Sequence, residues 1–228
     1  MEAIVLVGGF GTRLRQVVTD VPKPMAPIAG RPFLEILLGS LAEKGFSRVV
    51  LSLGFMAEKI SGHFGSQFAG LDLAYVVEDV PLGTGGATRL AIEACNQDHV
   101  FVFNGDTYVD LEVDLLEQQW QARQHPIFVG RQVPDTMRYG RLVVDGDRII
   151  RFAEKGVAGP GFINAGCYVM ATDALARFPF HQPFSIETEY LVPEVARAMV
   201  DVFVTKGMFI DIGIPEDYSR AQTLLADL

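Results

Sequence analysis

Short apolar runs of strand length alternate with helical patterns along the first half of the chain, and this alternation constrains the fold more than any other feature. Strands this apolar are buried on both faces, which predicts a parallel sheet with helices on each side. Ligands of such sheets bind beyond the carboxyl ends of the strands. The predicted strands are 3–7, 48–52, 73–77 and 100–103, and the predicted helices are 33–44, 56–64 and 86–95.

The second half of the chain has a more mixed pattern. It predicts helices over 113–123, 186–199 and 215–226, the second interrupted by Pro193, and strands over 127–129, 141–144, 149–152, 164–170, 202–205 and 208–210. Asp145, Gly146 and Asp147 form a hairpin turn signal between two of these strands. No internal repeat or linker is visible, so we expect one Rossmann-like α/β domain over 1–228, with a mainly parallel mixed sheet sandwiched by helices.

The charge balance excludes several classes of partner. The chain carries 28 acidic and 19 basic residues, a net charge of −9, which argues against nucleic acid and an anionic membrane surface as partners. No apolar stretch of about 18 residues and no export signal is found, so a cytoplasmic enzyme is expected. Cys95 and Cys167 lie far apart among apolar residues and are interpreted as buried thiols, and the four scattered histidines do not suggest zinc.

A glycine-rich segment directly follows the first predicted strand. It reads Gly8, Gly9, Phe10, Gly11, Thr12, Arg13 and Leu14, and it lets backbone N–H groups approach an anion closely. Arg13 and Lys23 add full positive charges suited to phosphate oxygens. The segment lacks the Gly-Lys-Ser/Thr ending of a P-loop and the third glycine of the dinucleotide fingerprint. A glycine turn with two surface cations is the simpler alternative.

Two isolated aspartates follow apolar runs. Asp106 closes the segment Asn104, Gly105, Asp106 after the fourth strand, and Asp211 follows 208–210. Two carboxylates brought to one rim of a sheet suit Mg²⁺, which takes one or two carboxylates and completes its shell with substrate phosphates and waters. Taken singly, each aspartate is equally typical of a turn or a helix cap.

Together these motifs resemble those of the sugar-phosphate nucleotidyltransferases. The resemblance covers nearly the whole chain, in order: 8–14, Pro-Lys-Pro-Met at 22–25, Gly-Arg-Pro at 30–32, Leu-Gly-Thr-Gly-Gly-Ala at 82–87, 104–106, Glu154 with Lys155, Asn-Ala-Gly at 164–166, and 209–215. It implies a nucleotidyltransferase fold and a reaction in which a sugar 1-phosphate attacks the α-phosphorus of a nucleoside triphosphate and pyrophosphate leaves. Such a reaction depends mainly on alignment of the substrates and neutralisation of charge.

The resemblance also implies roles for particular residues. Arg13, Lys23 and Asp106 are the expected catalytic residues, with Arg13 at the departing pyrophosphate and Lys23 at the α-phosphate, and Asp106 and Asp211 carry Mg²⁺. The expected nucleotide-binding residues are Leu6, Gly8, Gly9, Gly11, Thr12, Glu78, Leu82, Gly83 and Thr84. The expected sugar-phosphate residues are Gly140, Glu154, Lys155, Asn164 and Glu187.

The expected nucleotide is GTP. Pyrimidine-reading members often have a glutamine near position 86, whereas this chain has Gly85 and Gly86, which leave room for a purine. Glu78 could accept hydrogen bonds from guanine N1–H and its amino group, or be a solvated acid. The resemblance implies D-glycero-α-D-manno-heptose 1-phosphate as the acceptor, with mannose 1-phosphate, or UTP or dTTP as the nucleotide, as alternatives. A non-catalytic nucleotide-sugar sensor and a homodimeric state stay open, whereas a dinucleotide oxidoreductase shares the α/β layout but does not fit the glycine segment.

Overall fold

A ten-stranded mixed sheet runs through the protein in the order β10-β11-β13-β9-β12-β7-β1-β4-β6-β5. The computed structural model describes residues 1–9, 14, 18, 20–153, 156–197 and 200–228. The strands are β1 (Glu2–Leu6), β2 (Pro27–Ile28), β3 (Arg31–Pro32), β4 (Arg48–Leu53), β5 (Gln67–Phe68), β6 (Leu71–Val77), β7 (His99–Asn104), β8 (Thr107–Val109), β9 (Ile127–Val133), β10 (Arg141–Asp145), β11 (Arg148–Ala153), β12 (Gly161–Ala171), β13 (Asp201–Thr205) and β14 (Phe209–Asp211).

The first half of the chain forms the predicted parallel part of the sheet. β1 lies between β4 and β7 and pairs in parallel with both, and β4 pairs in parallel with β6. At the carboxyl end of β1, Leu6 lies opposite Ser52 of β4 and Asn104 of β7. The glycine segment and the Asn104–Asp106 turn therefore leave the sheet at the same rim, as the sequence predicts.

The second half extends the sheet with strands of both directions. β12 is antiparallel to β7 and β9, whereas β13 is parallel to β9. β5, β11 and β12 run opposite to the other strands of this sheet, so the predicted mainly parallel mixed sheet is confirmed. β10 and β11 form the predicted hairpin, and Gly146 in its turn has a φ of +59°.

The short strands β2, β3 and β8 have no clear signal in the sequence, whereas the strand predicted over 208–210 is found as β14. β2 and β3 form a small hairpin after Lys23, and β8 pairs antiparallel with β14 in a separate two-stranded ladder. Strands of two or three residues are too short for an alternating pattern to be recognised. The ladder between β8 and β14 joins the two segments that contain Asp106 and Asp211.

Helices cover both faces of the sheet. They are α1 (Phe33–Glu43), α2 (Ala57–Phe64), α3 (Gly83–Ala91), α4 (Val113–Arg123), α5 (Val192–Ala196) and α6 (Pro215–Leu224), with 3₁₀ turns at Lys23–Met25 and Ile92–Ala94. The predicted helix over 186–199 is a π-helical stretch, Ile186–Leu191, followed by α5. Pro193 lies in the first turn of α5, where the helix changes from π-helical to α-helical, and positions 198 and 199 of the predicted helix lie outside the described residues.

Alternate strand residues point into two separate apolar cores. Ala3, Val5 and Val7 of the β1 segment pack in the core beneath α1, α2, α4 and α6, whereas Ile4 packs in the core beneath α3, the π-helical stretch and α5. This arrangement is the predicted sandwich. Cys167 is buried as expected, but Cys95 is only half-buried. Within the described ranges, none of the helices has the length and apolarity needed to span a membrane.

Candidate active site

A cleft of about 380 Å³ opens at the carboxyl ends of β1 and β7. Three parts of the chain form its walls: the end of β1 with the first glycines, the start of α3 with the residues before it, and the turn after β7. Its lining residues are Leu6, Val7, Gly8, Gly9, Lys23, Pro24, Glu78, Pro81, Gly83, Thr84, Ala87, Asn104, Gly105, Asp106 and Gly213.

An ion pair between Lys23 and Asp106 lies at one end of the cleft. The Nζ of Lys23 is 2.5 Å from Oδ2 of Asp106, and the lysine side chain is only 10% exposed. Lys23 is held there by a 3₁₀ turn, in which the N–H of Met25 donates to the carbonyl of Pro22. The other carboxylate oxygen of Asp106 accepts a hydrogen bond from the hydroxyl of Thr107. Two residues far apart in sequence thus combine into one charged centre.

Asp211 is brought beside this centre by the ladder between β8 and β14. Asp211 lies opposite Thr107, and the N–H of Ile212 donates to the carbonyl of Asp106 at 2.9 Å. The N–H of Gly213 donates to Oδ1 of Asp211 at 2.6 Å, which fixes the carboxylate next to the cleft. The structure therefore brings together the two aspartates that the sequence predicts as metal ligands.

The donor set of these aspartates fits a hard divalent cation. Both supply carboxylate oxygens, the ligands that Mg²⁺ prefers, and two carboxylates are what a site completed by substrate phosphates requires. Within the part of the chain that the structure describes, no cluster of three or more histidines, cysteines and carboxylates could hold a metal ion. A metal at Asp106 and Asp211 would therefore complete its shell with substrate and water oxygens.

The first two glycines line the cleft at the end of β1. A Cβ atom on Gly8 would lie 2.6 Å from Oε1 of Glu78, and one on Gly54 would lie 2.8 Å from the carbonyl oxygen of Gly8. A side chain at Gly54 would therefore collide with the backbone of Gly8, whereas a side chain at Gly8 would have to displace the end of the Glu78 side chain. The predicted nucleotide-binding residues Gly11 and Thr12 and the predicted catalytic Arg13 lie outside the described residues.

Glu78 is a second charged residue that lines the cleft, beside Gly8. Its carboxylate accepts hydrogen bonds from the N–H of Leu82 at 2.8 Å and from the hydroxyl of Ser52 at 3.4 Å. Burial raises the pKa of the Glu78 carboxyl above its usual range, and the two hydrogen bonds oppose that effect. A half-buried carboxylate held this way presents a fixed acceptor to a ligand in the cleft.

The segment around α3 differs from the sequence interpretation in two respects. Gly83 and Thr84 line the cleft as predicted, but Leu82 is buried behind its wall. The interpretation that Gly85 and Gly86 leave room for a purine is wrong. A Cβ on Gly85 would lie 2.2 Å from the ring of Phe184, and one on Gly86 would lie 2.7 Å from the carbonyl oxygen of Gln182. Both glycines accommodate the chain at 182–184.

A polar cluster contains two of the residues that the sequence predicts to bind the sugar phosphate, Asn164 and Glu187. The amide nitrogen of Asn164 donates to Oε1 of Glu187 at 2.5 Å and to the hydroxyl of Tyr168 at 2.7 Å, and that hydroxyl donates to Oε1 of Glu187 at 2.9 Å. Gly140 lies near Ala153 at the end of β11, and the predicted residues Glu154 and Lys155 fall outside the described residues. The structure therefore joins Asn164 to Glu187.

Tyr168 is a functional candidate that the sequence interpretation missed. It lies in the middle of a buried strand, and burial raises the pKa of its hydroxyl well above the usual value, with the Glu187 carboxylate adding to the effect. The only local signal is its spacing of four residues from Asn164, which in a regular strand places both on the same face. The register of β12 against β9 shifts between these two residues, and this bulge turns Asn164 towards the tyrosine hydroxyl.

A mixed sheet with Gly8, Gly9 and a Lys23–Asp106 ion pair in a cleft at the carboxyl ends of its parallel strands is typical of the nucleotide-dependent transferases. The comparison with known families agrees, since residues 2–227 match the nucleotidyl transferase family. The chain belongs to this family and is a nucleotidyltransferase enzyme.

Individual relatives narrow the comparison. The chain is 38% identical to the D-glycero-alpha-D-manno-heptose 1-phosphate guanylyltransferase of Aneurinibacillus thermoaerophilus, over 97% of both chains. It is similar to the crystal structure of HddC from Yersinia pseudotuberculosis, with a TM-score of 0.87 and 37% identity over 97% of both chains, and that protein has also been solved complexed with GMP-PN. The mannose-1-phosphate guanylyltransferase of Mycobacterium tuberculosis is 35% identical over 96% of this chain and 63% of its own length.

Proposed function

We propose that this enzyme transfers a guanylyl group from GTP to D-glycero-α-D-manno-heptose 1-phosphate and releases pyrophosphate. The full-length similarity to heptose 1-phosphate guanylyltransferases supports this acceptor, and we propose that residues 1–228 act as one domain. A phosphate oxygen of the sugar 1-phosphate attacks the α-phosphorus of GTP. The bond from that phosphorus to the bridging oxygen of the β-phosphate breaks, and pyrophosphate leaves with the bonding electrons.

The observation that carries the proposal is the position of two different recognition elements on one cleft. The Lys23–Asp106 pair and the Glu78 carboxylate both line the cleft. A nucleotide requires both kinds of group, because its phosphates need positive charge and its base needs directional acceptors or donors. The first glycines, Gly8 and Gly9, bring backbone amides to the same cleft.

Lys23 is proposed to act at the α-phosphate. Its side chain is largely removed from water, so its charge acts on a bound phosphate through a medium that screens it less than water. Its ion pair with Asp106 holds the ammonium group in place before substrate binds. Arg13 is proposed to bind the departing pyrophosphate, and Gly11 and Thr12 the triphosphate, as implied by the motif that they share with the family.

Asp106 and Asp211 are proposed to hold Mg²⁺. The cation neutralises phosphate charge and orients the triphosphate when it is bound. Asp106 contributes to this site while it remains paired with Lys23, since the pair uses one carboxylate oxygen and the other accepts a hydrogen bond from the Thr107 hydroxyl. Gly213 keeps the Asp211 carboxylate oriented through its backbone N–H.

Glu78 is proposed to read guanine. Guanine offers two adjacent donors, its N1–H and its 2-amino group, and a carboxylate is the side chain with two acceptor oxygens to meet them. Leu6, Gly83 and Thr84 line the same region of the cleft and are proposed to pack around the nucleoside, whereas Leu82 acts through its backbone by donating to Glu78.

Asn164 and Glu187 are proposed to bind hydroxyl groups of the sugar. Their amide and carboxylate groups can donate and accept hydrogen bonds, and Tyr168 fixes both of them. Gly140, Glu154 and Lys155 are proposed to complete the acceptor site, with Lys155 at the sugar phosphate. Mannose 1-phosphate is the second candidate acceptor, supported by the guanylyltransferase relatives that use it.

Release of pyrophosphate from a grid of substrates tests the proposal. GTP, ATP, UTP and dTTP are each combined with heptose, mannose and glucose 1-phosphates in the presence of Mg²⁺. We expect the highest turnover with GTP and the heptose 1-phosphate, and loss of more than about 100-fold in Asp106→Ala. Asp227→Ala is the matched control, because it removes an exposed carboxylate that does not line the cleft.

The outcomes separate the alternatives. Equal or greater turnover with mannose 1-phosphate would replace the acceptor, and a preference for UTP or dTTP would contradict the role of Glu78. Binding of GTP without pyrophosphate release from any acceptor would favour a nucleotide sensor. Full activity in Asp106→Ala would refute the proposed metal site.

A further inference from the structure

Residues 182–186, which we call the bridging segment, lie against the start of α3. The N–H of Phe184 donates to the carbonyl of Leu82 at 3.0 Å, and the carbonyl of Phe184 accepts from the N–H of Gly85 at 2.9 Å. The N–H of Ile186 donates to the hydroxyl oxygen of Thr84 at 3.1 Å. The first turn of α3 is therefore capped by this segment, which comes from about a hundred residues later in the chain.

Three glycines of the α3 segment make this contact possible. Gly83 has a φ of +67°, and a Cβ there would lie 2.7 Å from the carbonyl oxygen of Phe184. Gly85 and Gly86 are similarly close to the ring of Phe184 and to Gln182. The ring of Phe184 is only 6% exposed and stacks on Phe178 with ring centres 4.1 Å apart. Since the ring is packed on both sides, it has little freedom to move away from α3.

The bridging segment leads directly into the acceptor cluster. The π-helical stretch begins at Ile186, with Ser185 as its cap: the N–H of Thr188 donates to the Ser185 hydroxyl. Glu187 is the second residue of this stretch and bonds both Asn164 and Tyr168. Only two residues, Ser185 and Ile186, thus separate Phe184, which contacts the start of α3, from Glu187. π-Helical turns within helices are often found at functional sites.

We propose that Phe184 is a positioning residue that couples the nucleotide site to the acceptor site, acting through Thr84 on one side and Glu187 on the other. This inference rests on the proposed function for the identity of the two substrates. Thr84 lines the cleft, so a nucleotide that orders Thr84 also fixes the N–H of Ile186 bonded to it. Glu187, the next residue, is then held in the position that the sugar requires.

Coupling of this kind has a measurable consequence. If a nucleotide tightens binding of the acceptor by some factor, the acceptor must tighten binding of the nucleotide by the same factor. A merely structural role for Phe184 would lower the stability of the protein or both affinities, but it would leave this factor unchanged. The coupling factor therefore distinguishes positioning from simple packing.

The experiment measures the affinity of a GTP analogue with a methylene bridge between its α and β phosphorus atoms, which cannot transfer its guanylyl group. Calorimetric titrations are made with Mg²⁺, with and without saturating heptose 1-phosphate, and the reciprocal titrations are made with the sugar phosphate. For the wild type we expect each ligand to tighten the other about 5- to 150-fold, the usual range of such coupling.

Gly85→Ala and Phe184→Leu are the test variants. Gly85→Ala places a methyl group against the Phe184 ring, and Phe184→Leu removes the ring, so each is expected to reduce the coupling factor to about 1 while both ligands still bind. Gly39→Ala is the matched control, because Gly39 also lies in a helix but a Cβ there has no atom within 4 Å. It should keep the wild-type coupling.

The results distinguish a failure of the proposed coupling from a failure of the proposed function. Wild-type coupling in a folded Phe184→Leu, or a wild type that binds both ligands independently, would overturn the inference without affecting the proposed function. A wild type that does not bind the heptose 1-phosphate at all would overturn both. If Gly85→Ala fails to fold, the coupling factor of Phe184→Leu alone tests the inference, because this variant adds no steric conflict.

Discussion

Replacement of Glu78 by glutamine removes one acceptor oxygen from the wall of the cleft without changing its size. The Glu78 carboxylate is already bonded to the N–H of Leu82 at 2.8 Å and, more weakly, to the Ser52 hydroxyl. In Glu78→Gln the single carbonyl oxygen cannot serve both Leu82 and guanine as the carboxylate does, and the new NH₂ group faces a donor of the base. One hydrogen bond to a charged group is therefore lost from the complex with GTP.

The expected loss follows from that one bond. A hydrogen bond to a charged group contributes about 1.5–3 kcal/mol, so kcat/KM for GTP should fall about 10- to 150-fold. The best comparison is with ITP, since hypoxanthine lacks only the 2-amino group of guanine. The wild type should prefer GTP to ITP, and the variant should lose most of this preference, because the missing acceptor is the one that the amino group would use.

The protonation of Glu78 gives an independent measure of the same contact. Burial raises the pKa of this carboxyl, so acidification should weaken the preference for GTP over ITP at a higher pH than an ordinary glutamate would. A carboxyl whose pKa is higher in the folded than in the unfolded protein stabilises the fold while it is protonated. This stabilisation is fully present below the unfolded-state pKa and is lost as the pH rises through the folded-state pKa. Glu78→Gln should therefore not lower the melting temperature at neutral pH.

Pyrophosphate release with GTP and ITP is the assay, and Asp79→Asn is the control. Asp79 is the next carboxylate in sequence, but it is exposed and does not line the cleft. The control should keep both the rate and the base preference of the wild type. An unchanged preference for GTP over ITP in a folded Glu78→Gln would refute the assignment of Glu78 to the base.

Two further predictions concern the packing that supports the site. In Gly105→Ala the Cβ would lie 2.3 Å from Cγ1 of Val7 and 2.6 Å from the carbonyl oxygen of Leu6. The free energy of unfolding, measured in urea, should therefore fall by about 1–3 kcal/mol. Stability equal to that of the wild type would contradict this close packing. Glu2 is 3% exposed and accepts hydrogen bonds from the N–H groups of Asn96 and Gln97 while it pairs with Arg48. Glu2→Ala should therefore lower the free energy of unfolding by about 3–5 kcal/mol. Each kcal/mol should lower the Tm by roughly 2–4 °C. An unchanged Tm would show that water replaces the carboxylate.

The part of the fold built from parallel strands could be predicted because its signal is local. Each strand of this part is a continuous apolar run, and each connecting helix has an apolar face, so both are recognisable from short windows. The position of β12 between β7 and β9 could not be predicted in the same way. It depends on pairing between residues more than 60 positions apart, such as Cys167 with Phe103, for which a single sequence carries no direct signal.

The candidate site shows the same division between local and distant information. The glycines and Asp106 were found because they follow strands directly. Asp211 was found in the same way, after the apolar run 208–210, but its approach to Asp106 depends on the short ladder between β8 and β14. Tyr168 was missed because a tyrosine in an apolar strand is typical of core packing. The space beside Gly85 was misinterpreted because its occupant, Phe184, lies about a hundred residues further along the chain.

The two halves of the site are joined where β12 passes β7. Gly166 has a φ of +72°, and a Cβ there would lie 2.8 Å from the amide nitrogen of Asn104, which itself lines the cleft. The N–H of Gly166 donates to the side-chain oxygen of Asn164, whose amide group bonds Glu187. A larger residue at 166 would have to move Asn104 or open the bulge, and either movement separates the acceptor cluster from the cleft. Under the proposed function, the bulge of β12 and the bridging segment together set the distance between the two substrates, and an in-line transfer between them needs that distance to be fixed.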